Sequence, residues 1–245
     1  MSLNSFLPFV STIIMLAFTI FVLRRYVARR KLHFLFWGIG LAMFGIGSFS
    51  EAYLALTWNR WIFFAWYLFG AALTAGWIGH GTVYLLFRKK WVHGLTAVLL
   101  IGSLVAALLM LRVMPLLDVS HFTPGVPVSE QYRDIMPAIQ EGATVRLATP
   151  FFNIYGVVTL VGGALWSAYL FWRKRVLPNR VIGNVLIAAG ALLIGSASIL
   201  TRLGYGSLLY LGELLSSVLM FAGFLVAAKP RELRQATTPA VQSGD

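Results

Sequence analysis

The chain has 245 residues, of which 59% are hydrophobic and 11% are charged, and its mean hydropathy is +0.80. An ordinary soluble domain carries roughly 25% charged residues, so this composition excludes a soluble fold. The net charge of +12 does not indicate a nucleic-acid partner, because the basic residues stand in short clusters between apolar runs. Such clusters are typical of a multi-pass protein embedded in a lipid bilayer.

Seven apolar segments are long enough to cross a membrane, which takes about 20 residues. The first segment lacks the basic start and the cleavage site of a signal peptide, so we interpret it as a retained helix. The predicted spans are residues 6–23, 34–57, 61–87, 94–112, 150–172, 181–201 and 208–228. They predict an all-α integral membrane domain over residues 1–229, followed by a disordered cytoplasmic tail over residues 230–245.

The basic residues predict the orientation of the spans. Fifteen of the twenty lysines and arginines follow spans 1, 3, 5 and 7. Because cytoplasmic loops are enriched in these residues, the N-terminus is predicted to be extracytoplasmic and the C-terminus cytoplasmic. We therefore predict a multi-pass protein of the plasma (inner) membrane.

The one long loop, residues 113–149, is predicted to be extracytoplasmic. A helix is predicted from Ser129, with Glu130 in its first turn, and Pro137 is expected to end it. This helix either lies over the outer mouth of the bundle or lies at the membrane interface between spans 4 and 5. The second interpretation is favoured.

An internal similarity relates the two halves of the chain. Ile46-Gly47-Ser48 follows Arg24-Arg25 at nearly the distance at which Ile194-Gly195-Ser196 follows Arg173-Lys174. This spacing predicts a 3+1+3 parallel repeat, in which spans 1–3 correspond to spans 5–7. Parallel repeats occur in several transporter folds. The alternative is chance similarity between helices rich in glycine and serine.

Ionisable groups inside spans are costly, so each is a candidate functional residue. Glu51 and Glu213 lie about 10 Å and about 9 Å below the predicted outer edge, at the helical rise of about 1.5 Å per residue. Two carboxylates at one depth are suited to proton coupling or cation binding in an outward-facing cavity. Arg202 and Arg60 are the nearest predicted cations. The alternative is a Glu–Arg pair that only fixes helix packing.

Small residues accompany both acids. Gly40 and Gly47 share a helical face with Glu51, and Gly212 and Ser216 flank Glu213. Such stripes either leave space for a ligand or let helices approach closely, and close packing is the favoured interpretation.

His80 lies in the inner half of span 3, away from the depth of the acids. A proton relay and a hydrogen bond to a neighbouring helix are both open, and the structural hydrogen bond is favoured. A bis-histidine haem would need a second buried histidine, and no His-x₃-His zinc pattern occurs. We therefore predict no metal site and no catalytic residues, and the sequence identifies no cofactor. The absence of lysine within the spans excludes a retinal Schiff base.

Span 3 also carries a periodic polar and aromatic pattern. Tyr67, Thr74 and Gly81 recur at every seventh residue, and Tyr84 lies nearby. These residues form either a wall for a flat ligand such as a quinone or a pigment, or ordinary packing between helices. Ordinary packing is favoured.

Three function classes fit these features. The leading hypothesis is a small transporter or ligand sensor with a cavity in the outer leaflet formed by Glu51, Glu213 and Arg202. The second is a non-catalytic subunit of a larger complex, for example one linked to quinones, and the third is an intramembrane enzyme acting on lipid. Partner membrane subunits and a homo-oligomer both stay open.

Overall fold

A computed structural model of the protein describes residues 3–87, 89–202 and 207–229, and among them the side chains of 6–87, 89–196 and 208–229. The described helices are α1 (Leu3–Arg29), α2 (Leu32–Leu54), α3 (Arg60–Ala65), α4 (Thr74–Leu86), α5 (Trp91–Val113), α6 (Val128–Ile135), α7 (Val145–Arg173), α8 (Pro178–Arg202) and α9 (Ser207–Ala228). A π-helical segment, Trp66–Leu73, joins α3 and α4 into one span. The described residues contain seven membrane-spanning candidates, which confirms the predicted class of multi-pass α-helical protein. The predicted tail lies outside the described residues.

Several helix ends differ from the predicted ones; α1, for example, continues to Arg29 instead of ending at residue 23. α2 ends at Leu54 rather than at residue 57, and the carbonyl of Ala55 accepts a hydrogen bond from Gly125 in the long loop. α7 begins at Val145, five residues before the predicted start at Pro150. A proline removes one backbone hydrogen bond from a helix. Pro150 nevertheless lies inside α7, and the helix begins one turn earlier at Val145, whose side chain is completely buried.

Six spans form a closed ring. α1 packs on α2, α2 on α4, α4 on α7, α7 on α8, α8 on α9, and α9 on α1. α5 lies outside the ring, against α4, the π-helical segment and α7, and exposes a stripe of apolar side chains that suits lipid. The packing order of α1, α2 and α4 is the same as that of α7, α8 and α9. This order is compatible with the predicted parallel repeat, which stays a prediction.

The small-residue face of α2 is a packing surface against the third span. A Cβ on Gly47 would lie 2.6 Å from the Cα of Gly70, and one on Gly40 would lie 2.7 Å from the backbone nitrogen of Ile78. Neither position has room for a larger residue, so the stripe that contains Glu51 brings two helix backbones together.

The bundle has two chemically different ends. The basic end carries residues 29–31, 89–90, 173–175 and 229, and the loop end carries residues 114–144. The basic residues predict that the basic end is cytoplasmic.

The long loop packs onto the third span. α6 begins after Pro127 rather than at Ser129, and it ends at Ile135, two residues before Pro137. Ile135 is fully buried, and the ring of Tyr132 lies 5.7 Å from that of Trp66. The loop therefore covers the loop end of the third span, and the interfacial position of its helix stays a prediction.

Candidate functional site

Two buried carboxyl groups meet at the centre of the ring. Glu51 on α2 is 5% exposed and Glu213 on α9 is 6% exposed. The carboxyl groups are close enough to interact directly, although α2 and α9 are not neighbours in the ring. The structure thus brings together the two acids that the sequence predicts to share a depth.

Each carboxyl group accepts one hydrogen bond across a helix interface. Ser48 Oγ donates to Glu213 Oε1 at 2.6 Å, and Trp66 Nε1 donates to Glu51 Oε1 at 3.0 Å. Glu213 Oε2 is buried and has no well-aligned donor among the described residues. The site therefore retains unused acceptor capacity next to a second carboxyl group.

The crossing of α2 and the π-helical segment sets this geometry. Gly47 and Gly70 contact each other at the crossing, and Glu51 and Trp66 each lie four residues, about one turn, away from it. Because the two backbones approach so closely, the indole N–H of Trp66 reaches the Glu51 carboxyl.

Further polar groups lie at the same level. Gly45 faces Met15, since a Cβ on Gly45 would lie 3.4 Å from Met15 Cβ. α1 and α2 are antiparallel, so Ser11, one turn before Met15, lies level with Ser48. Ser11 is fully buried, and its hydroxyl has no hydrogen-bond partner among the described residues.

Tyr210 completes the group. It is 3% exposed and lies within electrostatic range of both carboxyl groups. We call the set the acid layer: Ser11, Ser48, Glu51, Trp66, Tyr210 and Glu213.

A cavity of about 60 Å³ lies on the basic side of the acid layer, at the centre of the ring. All six helices of the ring contribute to its lining. Three lining residues each lie seven residues, or about 10 Å, from Ser11, Ser48 or Glu213: Phe18, Leu41 and Met220. Since seven residues are nearly two helical turns, these residues share the helix faces of the acid layer, which therefore lies directly above the cavity.

The position of the cavity differs from the predicted one. The sequence predicts an outward-facing cavity at Glu51 and Glu213, but both side chains are buried and the cavity lies on their basic side. The physical reason is the packing at the loop end, where the Gly47–Gly70 crossing and Tyr210 fill the space around the acids.

The predicted cations do not pair with the acids in the described part of the chain. Arg202 lies in the last turn of α8, but its side chain is outside the described ones, so its predicted role stays a prediction. Arg60 is exposed at the start of α3. Among the described side chains, neither Glu51 nor Glu213 forms an ion pair.

His80 belongs to a separate cluster and is fully buried. Its Nδ1 lies 2.7 Å from Tyr155 Oη, and its Nε2 lies 2.8 Å from Thr96 Oγ1. The favoured interpretation of a hydrogen-bonded histidine between helices agrees with these contacts. The sequence analysis missed both partners, because neither the span 4 threonine nor the span 5 tyrosine stands in a recognisable motif.

The polar and aromatic residues of span 3 contact three different helices, as the favoured interpretation of ordinary packing expects. Tyr67 lies 3.2 Å from Thr149 of α7, Gly81 packs on Trp37 of α2, and Tyr84 bonds to side chains of α5. The π-helical segment between Tyr67 and Gly81 widens the helical turn and shifts the phase of the residues beyond it. A heptad pattern that ignores this shift places these residues on one face, whereas the structure directs them to three different helices.

Other members of the acid layer were also missed from sequence. Ser48 could have been found, because it lies three residues before Glu51 and so shares its helical neighbourhood. Trp66 and Tyr210 carry no such signal, since their proximity to the acids depends on how the helices cross.

No family model, curated protein or solved structure matches the chain. Its function is therefore inferred from the geometry of its own residues.

Proposed function

We propose that this multi-pass membrane protein is a proton-linked transporter, in which the Glu51–Glu213 pair binds one proton and releases it during the transport cycle. The observation that carries the proposal is the direct interaction of two buried carboxyl groups at the centre of a six-helix ring. Two carboxylates in a low-dielectric interior repel each other, so the pair favours the uptake of one positive charge.

The surroundings of the pair favour a proton over a metal ion. Trp66 and Ser48 already occupy one oxygen of each carboxyl group as hydrogen-bond donors. A metal ion such as Ca²⁺ takes about six to eight oxygen ligands. A proton shared between two carboxyl groups needs no oxygen ligand beyond the two carboxyl groups themselves.

The central cavity marks where we place the substrate path; at about 60 Å³ it has room for about two water molecules, so the bundle has to open further to admit a substrate. The cavity lies about 10 Å from the acid pair along the ring axis, and its lining is mostly apolar. The polar contribution comes from Trp37, Thr82, Ser167 and Asn184, and charged side chains are missing from the described lining. We therefore infer an uncharged, largely apolar substrate.

The two ends of the ring support alternating access. Packing is tight at the level of the acids, where Gly47 meets Gly70, and space remains in the half nearer the basic end. Alternating access requires such a difference between the two halves, because one half has to be closed while the other gives access to the site. Protonation of the acid pair would remove its internal repulsion and so bias the closure of the loop end.

Infrared difference spectroscopy on the protein in lipid tests the proton. Native protein at neutral pH should show the C=O stretch of a protonated carboxyl group, and the band should disappear in the Glu51→Gln, Glu213→Gln double variant. Asp134→Asn is the matched control, because Asp134 is an exposed carboxylate in α6. A native spectrum without this band would refute the shared proton.

Proton flux tests the transporter. Vesicles that contain the protein and a trapped pH dye should acidify under an inward proton gradient when the substrate is present, and Glu51→Gln should abolish this flux or shift its pH dependence. If Glu51→Gln instead lowers only yield and thermal stability, the pair is a packing feature and the proposal fails.

A further inference from the structure

Five polar side chains form a hydrogen-bonded chain that is separate from the acid layer. Tyr84 Oη lies 3.1 Å from His93 Nδ1 and 2.8 Å from Thr96 Oγ1. Thr96 Oγ1 lies 2.8 Å from His80 Nε2, and His80 Nδ1 lies 2.7 Å from Tyr155 Oη. The chain connects α4, α5 and α7 without interruption.

This chain leads from the surface to the interior. His93 is exposed in the first turn of α5, at the basic end, whereas His80 is fully buried. Phe36 of α2 stacks on Tyr84 at 5.1 Å and meets the ring of His80 edge-on at 4.8 Å. The apolar ring covers the path on the side of α2, and burial increases from exposed His93 through half-buried Tyr84 and Thr96 to His80.

The Thr96 hydroxyl decides in which direction protons are donated. It lies 2.9 Å from the carbonyl oxygen of Val92 and can donate its single proton there. It then accepts from both Tyr84 and His80, so His80 carries its proton on Nε2 and accepts from Tyr155 at Nδ1. In this arrangement the donors on both sides converge on Thr96, and a proton cannot pass.

A second arrangement of the same heavy atoms is open. If the Thr96 hydroxyl turns from the Val92 carbonyl to His80 Nε2, His80 carries its proton on Nδ1 and donates to Tyr155. All donors between His93 and His80 then point the same way. The two orientations of the hydroxyl therefore correspond to the two tautomers of His80.

We propose that this chain conducts protons between the basic end of the bundle and His80, and that the Thr96 hydroxyl switches it. In the open arrangement, protonated His93 gives its Nδ1 proton to Tyr84, Tyr84 gives its own to Thr96, and Thr96 gives its own to His80 Nε2. The step converts His93 to the neutral form and His80 to imidazolium, and one proton has moved. The inference stands independently of the Glu51–Glu213 proposal.

Among the described residues, the groups that contact His80 from the neighbouring helices carry no formal charge. α2 contributes Phe36, α5 contributes Thr96, and α7 contributes Tyr155. Lys89 and Lys90 precede α5 and are exposed, and ion pairs to His80 are missing from the described residues. The ring of His33 packs on the rings of Phe34 and Trp37.

The same hydrogen bonds also hold α5 against the ring, and the test must separate these two roles. His93→Gln keeps a hydrogen-bond donor at the surface but cannot relay a proton. Thr96→Val removes the hydroxyl, and Thr96→Ser restores it. Ser103→Ala is the control for loosening of α5, because it removes the 3.1 Å bond from Trp77 Nε1 and leaves the chain intact.

Proton exchange at His80 is measured by ¹⁵N NMR of ring-labelled protein in nanodiscs. The protein has four histidines, and the signal that disappears in His80→Gln is assigned to His80. We expect His93→Gln and Thr96→Val to slow exchange at His80 by about 100-fold, the scale of assistance from a positioned proton-transfer group. Thr96→Ser and Ser103→Ala should keep the native rate.

Two results overturn the proposal. If exchange at His80 keeps its native rate in both His93→Gln and Thr96→Val, protons reach His80 by another route. If Ser103→Ala slows exchange as much as they do, the effect comes from a loosened α5. Should Thr96→Val fail to fold, the surface variant His93→Gln decides the question alone.

Discussion

Gly47 and Gly70 touch backbone to backbone where α2 crosses the π-helical segment. A Cβ on Gly47 would lie 2.6 Å from the Cα of Gly70, and a Cβ on Gly70 would lie 2.9 Å from the Cα of Gly47. This contact sets the distance between the two helices one turn away, where Trp66 donates to Glu51. The acid layer therefore depends on two residues that have no functional groups.

Gly47→Ala should destabilise the fold and displace Glu51. The added methyl group has to push the two backbones apart, and such overpacking costs about 1–3 kcal/mol. Thermal unfolding in detergent measures the loss. Gly162→Ala is the control, because a Cβ there meets nothing within 4 Å. Equal stability of the two variants would show that the helices do not cross as closely as described.

Trp66→Phe should weaken the acid layer without leaving a large void. It removes the N–H that reaches Glu51 Oε1 at 3.0 Å, and a buried acceptor left without its donor costs about 1–3 kcal/mol. The carboxyl band in the infrared spectrum should shift as well. Trp61→Phe, at a position that is 64% exposed, should change neither stability nor the spectrum.

The acid pair should make stability depend on pH. If the folded pair holds one proton at neutral pH and the unfolded chain releases it, the folded state binds more protons, and stability falls as pH rises. The melting temperature should therefore decrease from acid to neutral buffer in the native protein. The Glu51→Gln, Glu213→Gln double variant should lose this slope, and retention of the native slope would contradict the shared proton.

Asn153→Ala should destabilise the third span. The Asn153 side chain donates from Nδ2 to the carbonyl of Ala71 at 3.2 Å, within the π-helical segment. A wider turn leaves backbone groups without regular partners, so losing this bond costs about 1–3 kcal/mol. Asn179→Ala is the comparison, at an exposed position near the start of α8. A matching loss in both variants would argue against a special role for Asn153.

The orientation can be tested with single cysteines, because the chain has none of its own. His121→Cys lies in the loop end and Lys90→Cys in the basic end, and both positions are exposed. If the basic end is cytoplasmic, a membrane-impermeant maleimide on intact cells should label the cysteine at position 121 and spare the one at position 90. The opposite pattern would reverse the predicted topology.

Depth along a span could be predicted, whereas the direction of a side chain could not. Counting residues from the predicted edges placed Glu51 and Glu213 at one level, and they do meet. The heptad of Tyr67, Thr74 and Gly81 failed as a guide, because one π-helical segment shifts the phase of everything beyond it. A π-helical segment changes the depth of the following residues only slightly, but it changes the direction in which their side chains point.

The sequence by itself determined the seven spans. Each apolar segment is long enough to cross the membrane whatever its neighbours are, so the number of spans can be counted segment by segment. The sequence also singled out the buried acids, because a carboxyl group inside an apolar run is costly wherever the helices lie. Only the tertiary structure decided that Ser48 bonds to Glu213, that His80 reaches Thr96, and that the cavity lies on the basic side of the acids. These relations depend on which helices pack together and how closely their backbones cross, and non-local packing of that kind leaves no periodic trace in a single sequence.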